Sequence, residues 1–364
     1  MKRWLLAVLA LSATALVAAP KSEQAVPQLI EVRKIWDAGE HNAFTDLIWW
    51  HNNWWCTFRE SAGHVGGDGK IRVLISPDGG KWDSAALVEE KDIDLRDPKF
   101  SVTPDDRLMI VCGGSVYLGT KDIKGKQPRV IFSRDGHKWT NPQRISEEGE
   151  WLWRASWHNG TVYSVSPRTA SYQNGQPAAP KSGEEWYVNL FKSPDGLKWE
   201  LVSPLPVPGR PNETTVRVLA NGDMLAMVRR EAGNKMGWFG VARAPFTQWT
   251  WHESNYRFGG PNFIQLPNGV IVAGSRDYTQ LPDPNGRSND TSKKARTMLA
   301  WVKPGTYALD PFVILPSAGD NSYTGLVWRD DVLWVSYYST HEGSKTSIFL
   351  AKVKMPLSST PSAK

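Results

Sequence analysis

Three short stretches of the sequence share one pattern: Ser76-Pro-Asp-Gly-Gly-Lys-Trp82, Ser133-Arg-Asp-Gly-His-Lys-Trp139 and Ser193-Pro-Asp-Gly-Leu-Lys-Trp199. Their tryptophans are 57 and 60 residues apart, and a degenerate fourth copy at residues 244–249 follows after another 50. Repeats of about 50 residues are typical of propellers and arrays. Because Asp-Gly between two strand-like runs favours a tight hairpin, each copy predicts a turn on which the tryptophan packs.

A second set of turns lies between these copies, at residues 51–53, 104–106, 158–160, 220–222, 267–269 and 329–331. Each joins two strand-like runs, and no stretch shows a sustained 3.6-residue period. The spacing predicts an all-β fold: a six-bladed β-propeller with four-stranded antiparallel blades around a central channel. We expect residues 28–36 to supply a closing strand, residues 28–354 to form one propeller, and residues 355–364 to form a flexible tail.

The N-terminus has the pattern of a secretory signal peptide. Residues 1–19 begin with Lys2 and Arg3, continue with an apolar run, and end in small residues. Pro20 disfavours cleavage after Ala19, so the end of the leader is left between residues 18 and 25. An uncleaved anchor is the alternative, and no later segment is long and apolar enough to span a membrane. We therefore expect a periplasmic or extracellular protein.

Charge and cysteine content exclude several classes of protein. The chain has 43 Lys and Arg against 37 Asp and Glu, a net charge of +6, with no basic run interleaved with aromatics. This disfavours a nucleic-acid partner. Cys56 and Cys112 could pair in an oxidising compartment or remain buried thiols. No Cys/His spacing indicates a metal site, and no cofactor is predicted.

Ser-X-Asp-Gly-X-X-Trp is the Asp box, and with three copies at blade spacing the chain resembles the sialidase superfamily of β-propellers. The resemblance covers roughly residues 43–354. It implies that the Asp boxes lie on the outer rim, far from the channel mouth. Residues outside the Asp boxes must therefore carry the function.

Polar residues recur at equivalent places along the units. The innermost strand of each unit carries one just before its apolar run: Asp46, Asp97, Arg154, Glu213, Asn262 and Tyr323. The far ends of the second strands add further candidates for substrate binding: Arg59, Arg229, Arg276 and His341. In a closed propeller these positions converge at the channel mouth. A ring of solvated turn residues is the alternative.

Two segments match sialidase motifs. Asn212-Glu213, with Arg229 sixteen residues after the glutamate, resembles the segment that bears the family's base and one arginine of its carboxylate-binding triad. Asn-Ser-Tyr323-Thr-Gly-Leu resembles the segment of the nucleophilic tyrosine, and Arg296 resembles another triad arginine. The resemblance implies that Glu213 takes the proton of Tyr323, which attacks the sugar. The arginines would hold a carboxylate by paired hydrogen bonds. We accordingly expect the side-chain oxygens of Tyr323 and Glu213 to lie within hydrogen-bonding reach.

The chain departs from the family pattern at two places. The first triad arginine is missing, since the equivalent stretch reads Ala43-Phe-Thr-Asp46-Leu. The loop after Arg59 has no carboxylate where the family has its acid/base aspartate, and His64 lies closest. The candidates for the acid/base are therefore His64, Asp46 and Asp97, with a surface-loop histidine as the alternative for His64. These departures predict weak cleavage of simple sialosides.

Aromatic residues support a sugar ligand, because sugar rings stack on them. Most of the tryptophans are expected in the core, and we expect Trp153 and Trp238 at the channel mouth. Together these features predict a secreted, sialidase-like glycoside hydrolase acting on a terminal sugar of a glycan, with acidic sugars among the candidates. A polysaccharide lyase is a variant of this hypothesis. The alternative is a non-catalytic carbohydrate- or protein-binding propeller. The sequence does not indicate the oligomeric state.

Overall fold

The computed structural model describes residues 26–118, 122–169, 171–173, 176–178, 186–279 and 294–356. The predicted leader and most of the predicted tail lie outside these ranges. Every regular element of the described residues is a β-strand. They contain no helix of the length and apolar character needed to cross a membrane.

The strands form six antiparallel blades of four, ordered below from the inner strand outward. Blade 1 contains β2 (His41–Trp50), β3 (Asn53–Ser61), β4 (Lys70–Ser76) and β5 (Asp83–Val88). Blade 2 contains β6 (Asp94–Val102), β7 (Leu108–Leu118), β8 (Asp122–Ser133) and β9 (Gln143–Arg144). Blade 3 contains β10 (Ser156–His158), β11 (Thr161–Arg168), β14 (Tyr187–Ser193) and β15 (Glu200–Leu205). A small hairpin of β12 (Ser171–Gln173) and β13 (Gln176–Ala178) lies between β11 and β14 in the chain.

The second half of the ring repeats this plan. Blade 4 contains β16 (Pro211–Val218), β17 (Met224–Arg230), β18 (Trp238–Ala242) and β19 (Thr250–Glu253). Blade 5 contains β20 (Asn262–Gln265), β21 (Ile271–Asp277), β22 (Arg296–Val302) and β23 (Leu309–Leu315). Blade 6 contains β24 (Ser322–Arg329), β25 (Val332–Ser339), β26 (Ser347–Lys354) and β1 (Gln28–Trp36). The six-bladed propeller predicted from the sequence is confirmed.

The ring is closed by β1, the first strand in sequence and the outermost strand of the last blade. It pairs antiparallel with β26, from Gln28 opposite Lys354 to Trp36 opposite Ile348. The Trp36 indole N–H donates to Glu60 of blade 1 at 2.9 Å. The strand therefore connects blade 6 to blade 1, and the predicted closing strand is confirmed.

The turn chemistry of the sequence sets the two kinds of hairpin. The six short turns predicted between the repeats each join the first and second strands of a blade. The three Ser-X-Asp-Gly turns each join the third and fourth strands, at the same end of the propeller. In one of them, Asp195 accepts hydrogen bonds from the backbone N–H groups of Leu197 and Lys198 at 2.8 and 2.9 Å. The beginnings of the inner strands lie at the opposite end, because adjacent strands are antiparallel.

The core lies between neighbouring blades rather than in one centre. Trp54 of blade 1 stacks on Trp334 of blade 6, with ring centroids 4.1 Å apart. Cys56 and Cys112 are buried in two different apolar clusters and are free thiols. Of the two alternatives left open by the sequence, the structure therefore contains the unpaired thiols.

Candidate functional site

The side chains of Tyr323 and Glu213 meet in the central channel. They belong to the inner strands of blades 6 and 4 and are 110 residues apart in sequence. The tyrosine hydroxyl donates to Glu213 Oε1 at 2.5 Å. Arg229 Nη1 lies 2.7 Å from the same carboxylate oxygen and 3.3 Å from the tyrosine oxygen. The contact predicted from the sequence is present, with Arg229 beside it.

The environment separates the protonation states of the two groups. Burial raises the pKa of Tyr323 well above its ordinary value, and the negative charge of Glu213 raises it further. Burial alone would raise the pKa of Glu213, but the charge of Arg229 and several hydrogen bonds outweigh it and lower that pKa. At neutral pH a neutral phenol therefore donates to an ionised carboxylate, which is the state in which a base can activate a nucleophile.

The backbone turns Tyr323 into the channel. The ladder between β24 and β25 shifts register between Ser322 and Gly325, and Tyr323 has a φ of 54°. Such a bulge redirects a side chain at the cost of local strain. Gly260 packs against the tyrosine ring, where a Cβ would come within 2.6 Å of it, and its N–H donates to Glu213 Oε2 at 2.9 Å. Sequence analysis missed Gly260, although the Gly-Gly-Pro before β20 was a visible signal.

The same bulge recurs in other blades. It changes which residues of the inner strands occupy equivalent positions. The register shifts at Phe44-Thr45 in blade 1 and at Asp97-Pro98 in blade 2, and both Phe44 and Asp97 have positive φ. The blade-1 equivalent of Tyr323 is therefore Phe44, not Asp46. The Phe44 ring lies edge-on to the Tyr323 ring at 5.0 Å.

Asp46 and Arg154 form a buried ion pair with each other. Arg154 Nη1 lies 2.8 Å from Asp46 Oδ2, and the backbone N–H of Phe100 donates to the same oxygen at 2.8 Å. Both side chains are at least 95% buried. The structure therefore places Asp46 deeper than the channel mouth and commits Arg154 to an internal partner.

Asp97 lies among the charges of the Tyr323–Glu213 site. Burial raises its pKa; Arg96 and Lys99 oppose the rise, and the charge of Glu213 adds to it. Among the described residues no hydrogen bond to its carboxylate is found. A raised pKa favours the protonated form of the carboxyl, which is the form that an acid catalyst needs.

Lys99 is a buried cation next to this site that sequence analysis missed. Its ammonium donates to the carbonyl oxygens of Phe44 and Thr45, each at 3.1 Å, and lies 5.5 Å from the centre of the Trp153 ring. Burial lowers its pKa to about 8, and the positive charge of Arg154 contributes. Trp153 is buried, 5.7 Å from the Tyr323 ring, so it forms the wall behind the tyrosine.

Two of the arginines predicted to bind substrate are bonded to internal partners. Arg59 is fully buried and makes a bidentate pair with Asp94, at 2.7 and 3.0 Å. Arg276 lies against the Tyr323 ring at 5.6 Å and donates to the Asn321 carbonyl at 2.6 Å and to Asp320 at 3.3 Å. Sequence analysis did not single out Asp94 or Asp320, since nothing in their local sequence marks them.

Arg229 is also held from both sides. Its Nη1 contacts Glu213, and its Nη2 contacts Glu231, which in turn pairs with Arg257 at 2.9 Å. The charges acting most strongly on Tyr323 are Glu213 and Asp97 against Arg229 and Arg276. The two carboxylates raise the pKa of Tyr323, and the two arginines lower it.

His64 stands at the rim of the site. Its ring is half-exposed, lies 5.3 Å from Phe44 in an edge-on arrangement, and contacts Asp320 Oδ2 through Nδ1 at 2.8 Å. The Phe44 ring therefore contacts both the His64 ring and the Tyr323 ring.

Comparison with known proteins identifies the fold. No protein-family model and no curated protein matches the chain. A protein of unknown function from Dyadobacter fermentans superposes with a TM-score of 0.75 at 16% identity, covering 90% of this chain and 99% of that one. An α-L-arabinofuranosidase from Fusarium graminearum gives 0.65 at 14% identity, covering 90% and 98%. Trypanosoma rangeli sialidase in complex with sialic acid gives 0.62 at 11% identity, covering 91% of this chain and 58% of the sialidase chain.

The fold is that of a sialidase-like β-propeller. The chain spans little more than half the length of the sialidase to which it is similar. At these identities the comparisons show the fold alone, and the structural neighbours include propeller glycoside hydrolases.

Three further predicted residues of this sialidase-like propeller lie on second or third strands or beyond them. Arg296 begins β22 and donates to the Ala295 carbonyl at 3.1 Å. His341 follows β25, with Nδ1 3.0 Å from Ser339 Oγ. Trp238 begins the third strand of blade 4 and donates to Glu253 at 3.1 Å. The structure does not pair His341 or Trp238 with Tyr323 or Glu213.

Proposed function

We propose that this protein is a glycoside hydrolase that removes a terminal sugar from a glycan, with Tyr323 as the nucleophile and Glu213 as its base. The observation that carries the proposal is the 2.5 Å contact between these two side chains, which come from different blades. A base must reach the proton that it abstracts directly or through one water, and this one does. A tyrosine nucleophile is an established alternative to a carboxylate in glycoside hydrolysis.

In the first half of the reaction, the Tyr323 oxygen attacks the anomeric carbon while its proton passes to Glu213. The bond from the anomeric carbon to the leaving oxygen breaks, and an acid gives that oxygen a proton. In the second half, water attacks the anomeric carbon and gives its proton to the former acid. The bond to Tyr323 breaks, and the tyrosine recovers its proton from Glu213.

We assign the acid/base role to Asp97 rather than to His64 or Asp46. Asp97 has a raised pKa, and its charge acts directly on Tyr323 and Glu213. His64 is bonded to Asp320, and Asp46 is paired with Arg154. Asp97→Asn should lose about 10²–10⁴-fold in rate on substrates with poor leaving groups and much less on activated aryl glycosides. His64→Gln serves as the comparison and should show no such dependence on the leaving group.

We propose a neutral sugar as the substrate. Arg59, Arg154, Arg229 and Arg276 all have internal partners, so none of them is left unpaired for a carboxylate of the substrate. The neutral-sugar proposal is also supported by neighbours named as an α-L-arabinofuranosidase and an α-L-arabinanase, which match over 98% of their own length. Secretion, expected from the leader, is part of the proposal and fits a glycan substrate outside the cytoplasm.

The test is incubation with aryl α-L-arabinofuranosides, other neutral aryl glycosides and an aryl sialoside, followed by sizing of the products. We expect release of a neutral sugar and weak or absent release of sialic acid. Glu213→Gln should lower the rate about 10²–10⁴-fold. Tyr337→Phe is the matched control for Tyr323→Phe, because the Tyr337 hydroxyl donates to the Pro316 carbonyl at 2.9 Å and, among the described residues, has no hydrogen bond to Glu213.

Two other results would change the proposed function. Efficient release of sialic acid that Tyr323→Phe abolishes would make the protein a plain sialidase. Binding of a glycan without turnover of any would make it a carbohydrate-binding propeller.

A further inference from the structure

Three side chains of types that can ligate a metal gather at the channel mouth, at the junction of blades 1 and 6. His41 begins β2, His64 lies in the loop between β3 and β4, and Asp320 lies in the loop before β24. One donor atom from each lies within 4.8 Å of the other two. Asp320 Oδ2 is 2.8 Å from His64 Nδ1 and 3.5 Å from His41 Nε2.

His41 is the feature that the rest of the structure leaves unexplained. Its side chain is only 11% exposed. Neither ring nitrogen makes a hydrogen bond to the described residues, although Nε2 lies 3.5 Å from Asp320 Oδ2. A buried polar group without a partner is rare in folded proteins, and a bound ion is one of its recognised causes. The His64 ring is edge-on to it, with centroids 5.4 Å apart, so both imidazoles face the same carboxylate oxygen.

The carboxylate of Asp320 is fixed so that one oxygen is presented to the two histidines. Its Oδ1 accepts from the Tyr338 hydroxyl at 2.7 Å and from Arg276 Nη2 at 3.3 Å. Hydrogen bonds of this kind orient the ligands of metal sites and are part of their construction. Oδ2 is left for the imidazole nitrogens.

From this geometry we propose that His41 Nε2, His64 Nδ1 and Asp320 Oδ2 bind a divalent transition-metal ion of the zinc class. Tetrahedral ligands about 2.0–2.1 Å from zinc lie about 3.3 Å from one another. The two contacts of 2.8 and 3.5 Å lie on either side of that value. Two imidazoles with one carboxylate suit zinc better than the oxygen-preferring cations.

Three protein ligands leave a fourth position open, which is typical of zinc sites that hold a water or a substrate oxygen. The half-exposed ring of His64 places that position at the rim of the channel. The site holds one carboxylate, and Arg276 shares it, so we expect weaker binding than at a closed structural zinc site. The inference does not depend on the proposed glycosidase activity.

The test uses the full chain and the metal alone. Zn²⁺ binding is measured by isothermal titration calorimetry after removal of metal with a chelator, and Co²⁺ is added to read the coordination from its visible absorption. We expect one Zn²⁺ per chain and the absorption of four-coordinate Co²⁺. His64→Ala should weaken Zn²⁺ binding at least about tenfold, because loss of even an outer-shell partner costs 10–100-fold.

His341→Ala is the matched control, since His341 is a partly buried histidine outside the cluster, and it should bind Zn²⁺ as the unaltered chain does. A melting curve with and without Zn²⁺ shows whether each variant is folded. The proposal is overturned if the unaltered chain binds no Zn²⁺, or if the folded His64→Ala chain binds it equally well.

Discussion

The Glu213 carboxylate is held by three donors. One carboxylate oxygen contacts Tyr323 and Arg229, and the other accepts the N–H of Gly260. Three donors therefore fix its position and its charge together. A rigid, ionised base next to a protonated nucleophile is ready to react without rearrangement.

Arg229 controls the pH range in which this base is ionised. Its positive charge lowers the pKa of Glu213, so Arg229→Gln should raise that pKa. Glu213 then keeps its proton to higher pH, and the acid limb of the kcat/KM profile should move to higher pH. Arg230→Gln is the control, because Arg230 is a buried neighbour that bonds the Pro208 carbonyl and Glu253 instead. Superimposable acid limbs for the unaltered and Arg229→Gln enzymes would contradict the prediction.

Lys99 makes stability depend on pH in a predictable direction. Its pKa is about 8 in the folded protein, against 10.5 for a lysine exposed to water. Between these two pH values the unfolded chain therefore binds more protons than the folded chain. The free energy of unfolding should therefore rise across this window, by about 3 kcal/mol relative to Lys99→Met. Urea unfolding of both chains at pH 7.5, 9 and 10.5 measures the difference. Parallel stability curves would show that Lys99 has an ordinary pKa.

At the level of single elements, turns and inner strands have separate tasks. The Ser-X-Asp-Gly turns stabilise the ends of the third and fourth strands by local hydrogen bonds, at the end of the propeller away from Tyr323. The inner strands carry the bulges that direct Phe44, Asp97 and Tyr323 into the channel. Stability and site geometry can therefore be changed independently.

Asp195→Ala tests this separation. The change removes the acceptor for two backbone N–H groups, as the loss of a helix cap does, and should cost about 1 kcal/mol. The melting temperature should fall by a few degrees while kcat/KM stays within twofold. Lys198→Ala, which keeps the backbone donor and removes only a side chain, should leave both unchanged. A large loss of activity in folded Asp195→Ala would mean that the turn is coupled to the site.

At the level of the whole molecule, closure of the ring brings the site together. Tyr323 and Glu213 belong to blades 6 and 4, and blade 6 is completed by the first strand of the chain. The hydrogen bonds of Trp36 to Glu60 and of Arg33 to the Gly80 carbonyl attach that strand to blade 1 as well. We therefore expect the N-terminal strand to support the site by joining blade 6 to blade 1.

Two shortened chains measure this effect. A chain that starts at residue 26 keeps β1, and one that starts at residue 38 lacks it but retains every candidate site residue. We expect the second chain to melt at a lower temperature, with a less cooperative transition, and to lose activity. Equal activity of the two chains at a temperature where both are folded would show that closure by β1 is not needed.

The sequence by itself determined the repeat, the number of blades and the central contact. The Asp-Gly and Asn-Gly turns act locally, so their spacing predicts hairpins without knowledge of the rest of the chain. The segments around Glu213 and Tyr323 also had recognisable local patterns, and their contact follows once the ring closes.

Only the tertiary structure decided which charged residues remain available to bind a substrate. Arg59 pairs with Asp94, 35 residues away, and Arg154 pairs with Asp46, 108 residues away. A bulge in β2 moves Phe44 into the channel and leaves Asp46 behind it, although the sequence analysis placed Asp46 at the channel mouth. Local sequence does not encode these results, because the partners of a buried charge are set by the packing of neighbouring blades and by the register of their strands.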